Sequence, residues 1–412
     1  MKKPEINSER LWQSLMDLAR VGATDKGGVC RLALTDLDRQ ARELFMKWSS
    51  EAGCSVSVDR MGNIFARRDG SDNALAPVMT GSHIDTQPTG GRFDGVYGVM
   101  SGLEIIRTLN DFNITTKHPV EAVVWTNEEG SRFAPCMIGS GVFAEVFTLE
   151  EGLACKDADG ITIGNELARI GFSGPRTETG HSVAACFEAH IEQGPILENE
   201  GITIGVVTGA LGQRWFDVVI TGRESHAGPT PMNLRRDALV GAARIVIAVN
   251  RIGLAYQPDA CATVGSLRVF PDSRNVIPGS VSLTVDFRHI KVPALAAMEE
   301  ELRKTLENLK RESGLEFEII PTADFPPTRF ADECIEAVRN GAKELGYSHR
   351  DIISGAGHDA IFINRIAPTS MIFVPCEGGI SHNEIENADP KHLAAGCNVL
   401  LKAILERADI AQ

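Results

Sequence analysis

The sequence predicts an α/β protein whose sheet domain is interrupted by a smaller α+β unit. Three observations carry that expectation. Short apolar runs recur between segments of helical period, the pattern of buried strands alternating with helices. A polar motif begins where each run ends, as happens at the carboxyl ends of strands in open α/β sheets. The stretch 213–328 breaks the pattern, with alternating runs and two helical segments in place of continuous apolar ones.

Residues 8–20 place Leu11, Leu15, Leu18 and Ala19 on one helical face. A second helix is expected over 35–52, with Thr35 as its N-cap and Gly53 as its stop. The run 76–80 is a short buried strand, and 94–110 turns helical through Val99, Leu103, Ile106 and Leu109. Further buried strands are expected at 120–125, 184–189 and 369–374. In the middle, 214–221 alternates as a half-exposed strand, 236–252 is a helix, and 261–269 and 280–287 are strands. A charged amphipathic helix over 300–313 and a strand at 316–320 complete that unit. The expected boundaries are 1–212 and 329–412 for the sheet domain and 213–328 for the insertion.

A chain of 412 residues suits two domains. Hydrophobic and charged contents of 43% and 23% are those of a soluble globular protein. The net charge of -14, with no long basic run, argues against nucleic acid as a partner. Nine cysteines lie scattered with no C-x-x-C pair, an odd count that does not suit a closed disulfide framework. Free thiols in a reducing cytosol are expected. Lys2 and Lys3 have no apolar segment behind them, so no secretory signal is expected. No apolar run reaches the ~20 residues that span a bilayer. These features point to a cytoplasmic protein without a membrane partner.

The chemistry concentrates in a few motifs. They are Gly81-Ser82-His83-Ile84-Asp85-Thr86, Gly91-Arg92-Phe93-Asp94-Gly95, Asn127-Glu128-Glu129-Gly130, His190-Ile191-Glu192-Gln193-Gly194 and Ser381-His382-Asn383-Glu384. Together they supply histidines and carboxylates enough for a two-metal hydrolytic site. Asp85, two residues after His83, can hold the other nitrogen of a ligating ring. Asp94, in a Gly-rich turn opening a helix, can bridge two metals. Glu128 and Glu129 are adjacent at a strand end, where successive side chains point to opposite sides. One can then bind metal while the other acts as general base. Each motif alone has a plainer reading: His83 as a packed histidine, Glu128-Glu129 as a solvated turn. Their recurrence at separate strand ends sets them apart.

The longer motifs are GSHIDTQPTGGRFDG at 81–95, VVWTNEEGSRFAP at 123–135, FEAHIEQGPILE at 187–198, SHAGPTPM at 225–232, NVIPG at 275–279, DFRH at 286–289, SGAGHDA at 354–360 and GGISHNE at 378–384. Over nearly its whole length the chain resembles the M20-type metallohydrolases, in their amidase and carbamoylase branch. That branch holds N-carbamoyl-L-amino acid amidohydrolases, β-ureidopropionases and allantoate amidohydrolases. The resemblance implies a mixed-sheet di-metal catalytic domain with an inserted lid and dimerisation domain. It implies one metal position from His83, Asp94 and His190, another from Asp94, Glu129 and His382, and Glu128 as general base. Zn or Mn would occupy them, with Co or Ni as alternatives. His190 stands where many M20 peptidases carry a carboxylate, which points to the carbamoylase branch. In a homodimer, His226 would polarise the scissile carbonyl from the partner chain. Asn275 and Arg288 would bind a substrate carboxylate, and Gln193 and Gly357 would line the carbamoyl end.

Read without the resemblance, Arg288 pairs with Asp286, Asn275 belongs to a turn, and His226 is a loop histidine. His358 and Asp359 lie behind the ligands, and His181 is a surface residue. The implied reaction is hydrolysis of the ureido C–N bond of an N-carbamoyl-L-amino acid or N-carbamoyl-β-alanine. Allantoate is the alternative substrate. A peptidase or deacylase, or a non-catalytic small-molecule binder, ranks below both.

Overall fold

The computed structural model describes residues 3–175 and 180–411. The chain divides into two compact units, Met1–Gly209 with Phe330–Gln412, and Ala210–Arg329.

The first unit is built on a mixed sheet. Its strands run in the order Ser55–Val58, Ile64–Arg68, Val120–Trp125, Val78–His83, Ala185–Ile191, Thr369–Val374, Ile204–Ala210, with His349–Ser354 beside the last. The four strands from Val120–Trp125 to Thr369–Val374 are mutually parallel and every residue in them is buried. Parallel strands are covered on both faces, so they read as continuous apolar runs, which is why these four are visible in the sequence. The antiparallel flanking strands Ser55–Val58 and Ile64–Arg68, and Ile204–Ala210 with its Gly and Thr, carry no such run.

The strand expected at 76–80 spans Val78–His83. Thr80 and Ser82 are polar but fully buried, and Gly81 and Ser82 continue the ladder to Val123 and Val124. A Cβ on Gly81 would stand 2.2 Å from the Val123 carbonyl oxygen, so glycine is what lets the two strands approach here.

Helices Val96–Asp111 and Pro390–Ala408 pack against the parallel strands. Thr35 caps Asp36–Glu51 as expected, its hydroxyl accepting from the Asp38 N–H. His181 departs from its expected surface position. Its ring is largely buried against Phe65 and Phe143, with Nε2 2.7 Å from a carboxylate oxygen of buried Glu121.

The second unit is an antiparallel sheet in the order Leu267–Phe270, Ser280–His289, Gly212–Thr221, Glu316–Phe325, with Ala260–Thr263 also paired to Ser280–His289. The single run expected at 261–269 is therefore two strands. Ser280–His289 alternates buried and partly exposed residues, because one face packs on helices and the other does not. Helices Ala238–Ala255 and Val292–Ser313 supply Ile245, Val249, Ile252, Met298, Leu302 and Leu306 to this core. Val292–Ser313 begins eight residues before the expected helix because Pro293 occupies its first turn, where a missing N–H costs nothing.

Candidate metal centre

The four parallel strands converge at their carboxyl ends. Val78–His83 ends on His83, and Ala185–Ile191 places His190 one residue before its end. Val120–Trp125 leads into Glu128 and Glu129, and Thr369–Val374 leads through the Glu377–Gly379 turn to His382. Asp94 sits in the turn that opens Val96–Asp111. Gly95 adopts a φ of 68°, and a Cβ there would lie 2.4 Å from the His83 ring. Only glycine lets the turn close over that imidazole.

Asp94 stands between two donor groups. Its Oδ1 is 3.2 Å from His190 Nε2 and 3.7 Å from His83 Nε2. Its Oδ2 is 3.3 Å from His382 Nε2, which in turn is 3.4 Å from Glu129 Oε2. The sets His83–Asp94–His190 and Asp94–Glu129–His382 each gather their donor atoms within 4.8 Å. Glu128 lies beside the first set, with Oε2 3.4 Å from His83 Nε2.

The local hydrogen bonds prepare these donors. His83 Nδ1 is 2.9 Å from the Asp85 carbonyl oxygen, and His190 Nδ1 is 2.9 Å from that of Ile191. A carbonyl can only accept, so each ring holds a proton on Nδ1 and turns Nε2 toward Asp94. The charges fit cations as well. Burial holds His83 neutral, its pKa drawn down to about 4. Burial acts downward on His190 too, but Asp94 outweighs it and raises that imidazole to about 9. The Asp94 hydrogen bond likewise raises His382 to about 9. Glu128 is pushed well above the usual carboxylate range by burial, then by Asp359 and Glu129. Glu129 rises to about 8 through burial and the charge of Asp94. Divalent ions among these donors would take the place of the protons and offset the crowded carboxylates. The residues therefore fit two metal ions.

Asp85 acts otherwise than its spacing suggested. Its carboxylate stays 3.8 Å from His83 Nδ1 and instead accepts the backbone N–H of Glu128 at Oδ1 and of Glu129 at Oδ2, each at 3.2 Å. Strand alternation does not separate the two glutamates either, since the strand ends at Trp125. Asn127, buried with a φ of 55°, turns the chain, and Asp85 then fixes the two peptide groups beyond it. Gln87 adds a side-chain N–H to Glu129 Oε2 at 2.7 Å.

Gln193 is drawn into the same site, its Nε2 3.0 Å from Asp94 Oδ2. Gly357 lies against the Met137 side chain and precedes His358, whose ring centroid is 4.7 Å from that of His190. Glu188 also comes near His190 and His358, but its oxygens are taken by the Ser82 hydroxyl at 2.6 Å and the Ala360 N–H at 3.0 Å.

The remaining expected residues belong to the second unit. His226 and Asn275 are neighbours there: His226 pairs with Val276 on a short ladder, and the Ala227 N–H donates to the Asn275 carbonyl. Arg288 is not with them. It lies eight residues along the strand from Ser280, roughly 27 Å at about 3.4 Å per residue, and pairs with Asp286 at 2.8 Å.

Glu386 escaped the sequence reading although it accepts the backbone N–H groups of Phe93 and Asp94; so did Asp38, which reaches the site only through Arg42 and the Thr126 hydroxyl. Glu386 stands four residues after His382, and that spacing was its only signal.

A sheet that delivers histidines and carboxylates from the ends of adjacent parallel strands is an arrangement suited to metal-dependent hydrolysis. The chain belongs to peptidase family M20/M25/M40, whose model matches residues 79–406. Within that family its likeness is to amidases. It is 47% identical over 407 residues to an N-carbamoyl-L-amino-acid amidohydrolase of Rhizobium meliloti, covering 99% of this chain and 98% of that one. It is 32% identical over 385 residues to the allantoate amidohydrolase of Bacillus subtilis, covering 93% of each. A crystal structure of an amidase of the hydantoinase/carbamoylase family from Burkholderia multivorans superposes with a TM-score of 0.95 at 59% identity, covering 99% of both chains.

Proposed function

We propose that this protein hydrolyses the ureido C–N bond of N-carbamoyl amino acids, releasing the amino acid, carbon dioxide and ammonia. The observation that carries the reading is Asp94, with one carboxylate oxygen toward each of two donor groups and Glu128 alongside. The full-length likeness to an N-carbamoyl-L-amino-acid amidohydrolase supports the substrate class.

His83, Asp94 and His190 would hold one divalent ion, and Asp94, Glu129 and His382 would hold the other. Zn or Mn is the proposed ion, with Co or Ni as alternatives, since imidazole suits Zn and Ni and carboxylate suits Mn. Bound there, such ions would supply Lewis acidity and lower the pKa of water toward neutrality. Glu128 takes the proton of the attacking water and returns it to the leaving nitrogen. Gln193 and Gly357 face the carbamoyl end, and Arg288 takes the substrate carboxylate with its planar fork. The C–N bond to the amino acid breaks, and the carbamate released decomposes to carbon dioxide and ammonia.

The second unit serves as lid and dimerisation domain of a homodimer. Helix Ala238–Ala255 is apolar and long enough, by composition, to cross a membrane, yet one side of it is core of this unit. Val240, Ile247 and Leu254 are 57%, 68% and 65% exposed at seven-residue spacing. That is an exposed apolar stripe, one residue per two turns, which a second helix could cover. The same helix of another copy is a self-complementary match under two-fold symmetry. His226 and Asn275, side by side in this unit, then act from the partner subunit, His226 on the scissile carbonyl oxygen. Ile247→Glu is expected to give monomers in sedimentation equilibrium and to remove activity. An intact dimer in that variant would refute this pairing. The cytoplasm is the proposed compartment, in keeping with nine free cysteines.

The deciding experiment measures ammonia from N-carbamoyl-β-alanine, N-carbamoyl-L-methionine and allantoate after loading with Zn or Mn. Turnover of a carbamoyl amino acid, lost with a chelator, is the expected result. A clear preference for allantoate would move the reading to an allantoate amidohydrolase. Silence on all three with metal bound would remove it.

A further inference from the structure

We propose that Glu386 is a positioning residue that sets the spacing of the two metal positions by clamping the loop carrying Asp94 to the loop carrying His382. The inference rests on the two-metal reading of the site.

Glu386 is 1% exposed. Its Oε1 accepts the backbone N–H of Phe93 at 2.9 Å and of Asp94 at 3.2 Å. The Ser381 hydroxyl lies between two carboxylates, 3.0 Å from Glu386 Oε2 and 2.8 Å from Asp94 Oδ2. One side chain therefore holds Asp94 through its backbone and shares with the Asp94 carboxylate the single proton of the Ser381 hydroxyl. The contact is close: a Cβ on Gly91 would stand 2.1 Å from the Glu386 carboxyl group, so glycine leaves the space in which the clamp closes. Both Glu386 oxygens are spent on protein groups, and Glu386 is absent from the donor sets around Asp94.

The two metal positions depend on this clamp unequally. His83 and His190 are anchored on buried strands. His382 is on a loop, with a φ of 54° and a side chain 51% exposed. Without Glu386, two buried N–H groups at Phe93 and Asp94 lose their acceptor, and Ser381 loses one of its two carboxylate neighbours. Asp94 then keeps its place against His83 and His190 better than against His382. A partner that orients a ligand typically controls metal affinity by ~10–100-fold.

The test uses the full-length protein, stripped of metal and titrated with Co²⁺, read by visible absorption and by calorimetric stoichiometry. The melting temperature of the metal-free protein is measured alongside. The wild type is expected to take up two ions. Glu386→Gln should keep both, because its amide oxygen can accept the same N–H groups and its Nε2 can donate to Ser381. Glu386→Ala should keep one ion near native affinity, lose ~10–100-fold at the other, and show altered absorption bands. Two native affinities with unchanged bands in Glu386→Ala would overturn the proposal. So would equal weakening of both positions together with a lowered metal-free melting temperature, the mark of a purely structural role. If Glu386→Ala does not fold, Glu386→Asp and Ser381→Ala carry the test. Weakening confined to one position supports the clamp, and equal weakening or none overturns it. A wild type that binds fewer than two ions overturns the two-metal reading itself, whatever the variants do.

Discussion

Glu128→Gln is expected to lower kcat by ~10²–10⁴-fold, the usual contribution of a positioned general base, while the protein still binds its metals. The argument comes from what holds Glu128. Its backbone N–H is fixed by Asp85, and its carbonyl accepts from the Met137 N–H at 2.8 Å. Neither contact uses the carboxylate, so the isosteric amide leaves the turn in place. What disappears is a group able to accept a proton beside His83. Burial and neighbouring carboxylates already raise its proton affinity, which suits a base near neutral pH. Single-turnover rates and metal analysis on the same sample check this. A variant that turns over near the wild-type rate would transfer the role to another carboxylate, and one that loses metal would make Glu128 a ligand.

Arg42→Met should destabilise the fold by about 3–5 kcal/mol, the range for breaking a buried ion pair on one side. Arg42 and Asp38 are both fully buried, with Nε 2.8 Å from Asp38 Oδ2. The guanidinium also donates to the Gly62 carbonyl at 2.7 Å and to the Thr126 hydroxyl at 3.3 Å. Truncation leaves an unpaired carboxylate and an unsatisfied carbonyl in the interior. Adding Asp38→Asn should cost far less than its own single change, because the charge it removes has already lost its partner. Urea unfolding of the two singles and the double closes the cycle. Additive losses would show that the pair is not coupled.

The legibility of each element in the sequence depends on how that element is buried. The parallel strands announce themselves because both faces are covered, and 369–374 is predicted to the residue. Their ends are less plain, because the ladder runs on through Gly81 and Ser82, residues that look like a loop. Short helices such as Ile138–Phe143 are too brief to show a period. The residues read as donors stand in polar motifs at strand ends, and the structure gathers His83, His190 and His382 around the Asp94 carboxylate, with Glu129 beside His382. Asp85 and Glu386 were not legible in their actual roles. Each works by accepting backbone N–H groups, and a carboxylate's aim at a peptide bond leaves no trace in residue type. Arg288 shows the limit from the other side: its own pairing with Asp286 was the plainer reading, and that pair is formed.

Asp85 grips two consecutive peptide groups with its two oxygens. The residue read as the base and the residue read as a ligand are thereby mounted on one bracket. A shift of either peptide group disturbs the other through the shared Asp85 carboxylate. Anyone re-engineering this site inherits positions 85, 128 and 129 as a single transplantable part. The bracket reaches one residue further, since the Glu128 carbonyl accepts from the Met137 N–H, and Met137 in turn packs on Gly357.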